Sequence, residues 1–242
     1  MPHPDYSPVR LDRRSRVFIV DDDTQTLRAF ERILRVEGLA VTTFTSAAEF
    51  LGRMLEDVPS CLLLDLHLPG IGGLRLQEEM RQASVRMPIV FVSGSADVSS
   101  TASAMRYGAV DFLQKPVEDA QLLAAVSRAL EQDTAQRLRH DDMIRARERL
   151  AQLTRREREV CELVARGLLN KQIAAALGPS LRTIKIHRAR MMRKLGAASV
   201  ADVVRLLARI EPQTATATRA APDYQAPAAT DSAGASANGR VQ

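Results

Sequence analysis

One ten-residue stretch constrains the fold more than any other: Cys61-Leu62-Leu63-Leu64-Asp65-Leu66-His67-Leu68-Pro69-Gly70. It is a short apolar run that ends in a carboxylate and opens into a loop holding Pro69, Gly70, Gly72 and Gly73. An apolar run of that length between turn signals reads as a strand buried on both faces. Asp65 then stands at the strand's C-terminal end, the edge of an open parallel sheet where ligands bind.

The flanking sequence repeats the pattern. Val17–Val20 reads as a strand ending in Asp21-Asp22-Asp23, and Thr24 to Glu37 has helical spacing up to Gly38. Ala40–Phe44 is the next strand. Ser46 caps a helix predicted to about Leu55, with Ala47, Phe50, Leu51 and Met54 on its inner face. After the Asp65 strand come a helix from Leu74 to about Arg81, a strand Ile89–Val92, a helix Val98–Tyr107, a strand Val110–Leu113 and a helix from Glu118. Five strands alternating with helices predict an α/β doubly wound parallel sheet.

The rest of the chain differs in character. No Gly or Pro occurs between Val117 and Gly167, so the fifth helix is expected to continue through residues 135–152 as a charged linker. Leu138, Ile144, Leu150 and Leu153 give it a sparse apolar stripe, read as a spacer first and a dimerisation helix second. Thr154 and Glu157 form a capping box that opens a helix with Val160, Leu163 and Val164 inward. Asn170–Leu177, Leu181–Leu195 and Ser199–Ile210 complete an all-α, four-helix segment over 153–211. Residues 1–15 lack periodicity and are expected to be a mobile tail. Residues 212–242 are rich in Ala, Thr, Pro and Ser and are expected to be disordered.

Charge divides the same way. The chain carries +5 overall, yet residues 16–134 hold 17 acidic against 11 basic side chains, and residues 152–211 hold 13 basic against five acidic. A basic second half fits a polyanion partner. No run approaches the roughly 18 to 20 apolar residues that span a bilayer. The polar N-terminus lacks the apolar core of a secretion signal, so no membrane association and a cytoplasmic location are expected. Cys61 and Cys161 are expected to be core residues rather than a disulfide.

Chemistry gathers at the predicted C-terminal edge of the sheet. Asp21, Asp22 and Asp65 converge there, and like charges so close call for a cation; an all-oxygen set suits Mg²⁺. Lys115 brings a positive charge from the fifth strand, and Ser93 a hydroxyl from the fourth. Lys115-Pro116 is a candidate cis peptide. Taken alone, Asp21-Asp22-Asp23 reads as an acidic helix start favoured by the dipole. Polar residues at the ends of four strands of one pattern favour a phosphoryl site.

Val20-Asp21-Asp22-Asp23, Leu64-Asp65 with Pro69-Gly70, Val92-Ser93-Gly94 and Asp111-Phe112-Leu113-Gln114-Lys115-Pro116 resemble the receiver domain of two-component response regulators, over residues 16–134. The resemblance implies a flavodoxin-like sheet with Asp65 as phosphoacceptor. It implies Asp21, Asp22, Asp65 and the His67 carbonyl as Mg²⁺ ligands. Ser93 and Lys115 become phosphoryl contacts and Phe112 an aromatic switch. The His67 side chain is assigned no role.

In the basic half, the short turn between Asn170–Leu177 and Leu181–Leu195 has helix-turn-helix proportions. The second helix carries Arg182, Lys185, His187, Arg188, Arg190, Arg193 and Lys194, side chains that neutralise phosphates and reach base edges. Leu153–Val160, Gly167–Ala174 and Arg182–Arg188 resemble the LuxR-type DNA-binding domain. The whole chain thus resembles a NarL/FixJ-type response regulator, leaning to the FixJ side. By that resemblance Lys185 and Ile186 face the groove with Ala189 one turn on, and Arg182, Thr183, Arg188 and Arg190 are candidate DNA contacts.

The function implied is a transcription regulator, not an enzyme. A partner histidine kinase phosphorylates Asp65, the protein forms a homodimer and binds double-stranded DNA, and RNA polymerase is a further candidate partner. The alternatives are a phosphate-independent interaction module and a constitutive DNA binder. A phosphohydrolase of the haloacid-dehalogenase type fits poorly, because His67 stands where such enzymes carry a second Asp.

Overall fold

The strand that ends in Asp65 lies at the centre of the sheet. Arg16–Val20 (β1), Ala40–Phe44 (β2), Ser60–Asp65 (β3), Ile89–Ser93 (β4) and Asp111–Gln114 (β5) pair in parallel in the order β2-β1-β3-β4-β5. This computed structural model describes residues 14–53, 56–94 and 98–210. The expected terminal tails fall almost wholly outside these residues, as do Met54 and Leu55. The chain divides into two compact units, residues 1–158 and 159–242.

In the first unit every residue of β3 is buried. Its side chains alternate between two cores. Cys61 and Leu63 pack with Leu27, Leu34, Leu122 and Val126, from the helices Thr24–Val36 (α1) and Asp119–Ala151 (α5). Leu62 and Leu64 pack with Phe50, Leu76, Met80 and Ala104, from Ala47–Leu51 (α2), Gly73–Gln82 (α3) and Val98–Arg106 (α4). Helices therefore cover both faces, as a fully apolar parallel strand requires. Both cysteines are buried, and neither is in a disulfide.

Local differences from the sequence expectation have physical causes. α2 ends at Leu51 with Gly52 as its C-cap, and Leu51 is exposed rather than on the inner face. β5 starts one residue later than expected, although Val110 already donates to the Ile89 carbonyl. Gly73 opens α3 instead of lying in the loop. A Cβ there would overlap the Asp65 carbonyl oxygen and lie 3.1 Å from Leu66 Cα, so only glycine lets α3 start this close to the Asp65 loop.

α5 runs unbroken from Asp119 to Ala151, as the absence of Gly and Pro predicts. Leu138 and Ile144 are exposed, and Leu153 just beyond the helix is buried. The helix carries one feature that the sequence reading missed. Asp133 is buried, and its Oδ2 accepts the Ser60 amide at 2.8 Å and Arg137 Nε at 2.7 Å. Arg137 also pairs with Asp57. Asp133 thus ties α5 to the first residue of β3, at the end opposite Asp65. Removing Asp133 takes away the acceptor of the buried Ser60 amide and the inner partner of Arg137 together, whereas removing Arg137 leaves the Ser60 bond to Asp133 in place. Asp133→Ala should therefore destabilise the first unit by about 3 kcal/mol. Arg137→Ala, at a partly exposed side chain, should cost about 1 kcal/mol. Urea denaturation read by hydrogen exchange in β3 and α5 checks both; equal losses would contradict this ordering.

Candidate phosphoacceptor site and nucleic-acid interface

β2 and β3 flank β1, so the chain reverses direction across the sheet between β1 and β3. A crevice at the C-terminal ends of the strands forms at such a switch point. Asp21 follows β1 and Asp65 ends β3. Both are buried. Lys115, just after β5, reaches back to them: its Nζ lies 2.6 Å from Asp21 Oδ2 and 2.9 Å from Asp65 Oδ1. The Lys115-Pro116 bond is cis. The Lys115 amide also donates to the Ser93 carbonyl at 2.8 Å, fixing the loop after β5 to the end of β4.

The remaining carboxylate oxygens are held by main chain. Asp21 Oδ1 accepts the Asp23 amide at 2.9 Å, and Asp65 Oδ2 accepts the His67 amide at 2.6 Å. Burial raises the Asp21 carboxyl above its ordinary value, although the Lys115 hydrogen bond opposes it. Burial alone would lower Lys115, but hydrogen bonds to Asp21 and Asp65 more than reverse that, so the ammonium is stabilised.

The acidic run Asp21-Asp22-Asp23 separates into three roles. Asp21 turns into the site. Asp22 is exposed. Asp23 caps α1, accepting from the Gln25 and Thr26 amides, and its bond from the Thr26 hydroxyl helps hold it below the usual carboxylate range. The helix-start expectation for this run holds at Asp23, whose carboxylate caps α1. Among the described residues no three His, Cys, Asp or Glu side chains form a ready metal cluster. Asp21 and Asp65 nevertheless fit a hard dication. They offer oxygen donors, and one ammonium leaves the pair with a net negative charge. Mg²⁺ needs few protein ligands because it keeps several waters.

Ser93 is fully buried at the end of β4. Phe112 is half-buried in β5 and packs against the core that contains Phe91. The His67 imidazole reaches over to Ser93, with Nδ1 3.1 Å from its Oγ. The sequence reading missed this contact.

Arg155–Ala165 (α6), which begins in the first unit and ends in the second, is followed by Asn170–Leu177 (α7), Leu181–Leu195 (α8) and Val200–Ala208 (α9), in the predicted order. Thr154 and Glu157 form the expected reciprocal cap of α6. Gly178 ends α7 with φ +88°, a conformation that favours glycine, and the Ser180 hydroxyl caps α8 by accepting the Thr183 amide. α8 buries Ile184, Met191 and Leu195, spaced to share one face. Arg182, Lys185, Ile186, Ala189, Arg190 and Arg193 are exposed. An exposed Ile186 amid these cations suits a surface that meets both phosphates and base methyls.

Two of the predicted contacts are placed differently from the rest. The Thr183 hydroxyl lies 2.9 Å from Ser180 Oγ. Arg188 follows Ile184 by four residues and precedes Met191 by three, so it falls on the inner side of α8. It is half-buried and donates to Asn170 Oδ1 at 2.8 Å, bracing α8 against α7.

Residues 17–127 match the response regulator receiver domain family, and residues 151–207 match the family of bacterial regulatory proteins, luxR family. Nodulation protein W of Bradyrhizobium diazoefficiens is 43% identical over 190 residues, covering 78% of this chain and 84% of that protein. The chain belongs to the response-regulator family. Transcriptional regulatory protein FixJ of Azorhizobium caulinodans is 39% identical, covering 81% of this response regulator and 94% of its relative. A solved structure of the response regulator StyR aligns with TM-score 0.73 at 37% identity, covering 81% of this chain and 99% of that one.

This response regulator joins a receiver to a LuxR-type DNA-binding domain, which together make a phosphorylation-dependent transcription regulator. Neither domain is of a known enzyme family. Its domain pair implies DNA and a histidine kinase as partners, and receiver domains generally bind Mg²⁺ at the phosphorylation site. Among the described residues no helix is long and apolar enough to cross a membrane.

Arg188 and Arg190 should separate brace from surface. Arg188→Ala should lower the stability of the second unit by about 1 kcal/mol. Arg190→Ala, on the exposed face, should stay within about 0.5 kcal/mol of the wild type. Hydrogen exchange in α7 and α8 during denaturant titration measures both; a larger loss for Arg190→Ala would reverse the assignment.

Proposed function

We propose that Asp65 accepts a phosphoryl group from a phosphohistidine of a partner kinase, and that the modification drives homodimerisation and promoter binding. The observation that supports this most is the single ammonium of Lys115 bonded at once to Asp21 and Asp65 at the β1/β3 switch point. Asp65 Oδ1 attacks phosphorus as the N–P bond breaks. Asp21, Asp22, Asp65 and the His67 carbonyl would hold a Mg²⁺ ion, which would supply charge neutralisation for the transferring group. Lys115 keeps one bond to Asp21 and turns its other donors to the phosphoryl oxygens, and the Ser93 hydroxyl donates to another.

The phosphoryl group adds roughly −1.5 to −2 charge at Asp65. Phe112, half-buried beside Ser93's strand, turns inward and reshapes the face made by α4, β5 and α5. Moving a population from 1:99 to 99:1 takes about 5.5 kcal/mol, a scale that several charge-assisted hydrogen bonds supply. Dimerisation sets two copies of α8 about one DNA turn apart. Arg182, Thr183, Lys185, Ile186 and Arg190 meet the major groove and its phosphates, with Arg188 acting mainly as a brace. The organisation that accompanies this reading is a receiver over 16–134, a helical linker over 135–152 and a DNA-binding domain over 153–211. The site of action is the cytoplasm, with RNA polymerase as the downstream partner and no substrate turned over.

Light scattering with gel filtration tests the switch. Acetyl phosphate with Mg²⁺ should convert wild-type monomer to dimer and leave Asp65→Asn monomeric. A shift in both proteins, or in neither, would contradict the proposal. For the interface, Lys185→Ala should weaken binding to all duplexes and reduce the slope of log affinity against log salt by about 1. An unchanged slope would remove Lys185 from the phosphate contacts.

A further inference from the structure

Among the described residues, one buried side-chain polar atom has no hydrogen-bond partner: Gln77 Oε1. Gln77 lies one turn past Gly73 in α3 and is 5% exposed. Its side chain reaches the C-terminal end of α4, where Nε2 donates to the Ala104 carbonyl at 3.4 Å, longer than the usual range. Turning the amide over gives no relief, because it would set Oε1 against the Ala104 oxygen and leave Nε2 unpaired instead. The Ala104 carbonyl already has a donor of its own, the Ala109 amide at 3.1 Å, across the turn that Gly108 makes with φ +90°. α4 is thus closed by its own main chain. The core on this side of the sheet is otherwise apolar, with Leu76 and Met80 from α3 and Ala104 from α4. An unpaired amide oxygen buried there costs more than one long neutral bond returns.

We propose that Gln77 is a positioning residue that keeps the end of α4 loosely held against α3, so that moving α4 relieves a cost built into the unphosphorylated packing. The proposal rests on the reading above, in which phosphorylation reshapes the face made by α4, β5 and α5. In the displaced packing Oε1 reaches a main-chain N–H or water. A residue biases a two-state equilibrium only by the difference it makes between the states. Here that difference is one unpaired amide oxygen, offset in part by the bond to Ala104, which amounts to about 2- to 10-fold. Gln77 therefore lowers the resistance to switching, and it acts through α4 rather than on the transferred group.

The test uses the full chain with Gln77→Met, which keeps the length of the side chain and removes both polar atoms, and separately with Gln77→Leu. Each is titrated with beryllofluoride as the phosphoryl mimic at saturating Mg²⁺, and amide spectra of the β4 and β5 ends report binding. Both variants should raise the midpoint about 2- to 10-fold, an effect that packing alone, equal in the two states, would not produce. Without ligand, hydrogen exchange at the Ala109 amide, which closes α4 onto Ala104, should slow by a similar factor. An unchanged or lowered midpoint in either variant would overturn the proposal. So would faster exchange at Ala109, which would make the Gln77 bond a net tie on α4, and so would loss of folding in both variants. A wild type that takes up no beryllofluoride would overturn the phosphoacceptor reading and the switching role of Gln77 with it; the exchange rates would still decide whether Gln77 loosens α4.

Discussion

Two buried carboxylates on adjacent strands share one ammonium. Asp21 and Asp65 sit side by side because β1 and β3 are neighbours, and each would repel the other and resist desolvation without Lys115. Much of the first unit serves that placement. β3 is apolar on both faces so that two helical layers can clamp it. Gly73 lets α3 begin against the Asp65 carbonyl. β5 lies two strands away from β3, yet delivers Lys115 back across β4 to the same crevice. The net negative charge left after pairing suits a hard dication beside the two carboxylates.

The second unit solves a different problem with the same economy. α8 is amphipathic in the strict sense: Ile184, Met191 and Leu195 hold one side, and cations occupy the other. The Ser180 cap and the glycine at 178 fix where α8 begins relative to α7. The bond from Arg188 to Asn170 adds a polar brace between the two helices, so the exposed basic face is carried on a rigid pair. The opposite charges of the two halves, visible in composition, follow this division of work.

What was legible in the sequence was whatever repeats or runs. The all-apolar Cys61–Leu64 run gave both the depth of β3 and the edge position of Asp65. The strand–helix alternation gave the topology, and the missing Gly and Pro gave the long α5. What was not legible depends on partners far away in the chain. Asp133 looked like one charge among many on α5, although its spacing from Val126 and Leu130 placed it on the core-facing side. Its role appears only with the Ser60 amide, 73 residues away. The three acids after β1 are indistinguishable in sequence; the loop turns one inward, one to solvent and one onto the helix end. Arg188 was counted with the other cations, although its register with Ile184 and Met191 already placed it inside. Leu51 was read through Gly52, which in fact stops α2.

The most direct measurement is reductive trapping of the acyl phosphate. The full chain is incubated with acetyl phosphate and Mg²⁺, reduced with borohydride, digested and mapped by mass spectrometry. Reduction converts an aspartyl phosphate to homoserine at the modified position. The account predicts that conversion at Asp65, with no conversion at Asp21, Asp22 or Asp133. Conversion at another aspartate, or none at Asp65 under conditions where a known receiver is labelled, would contradict it.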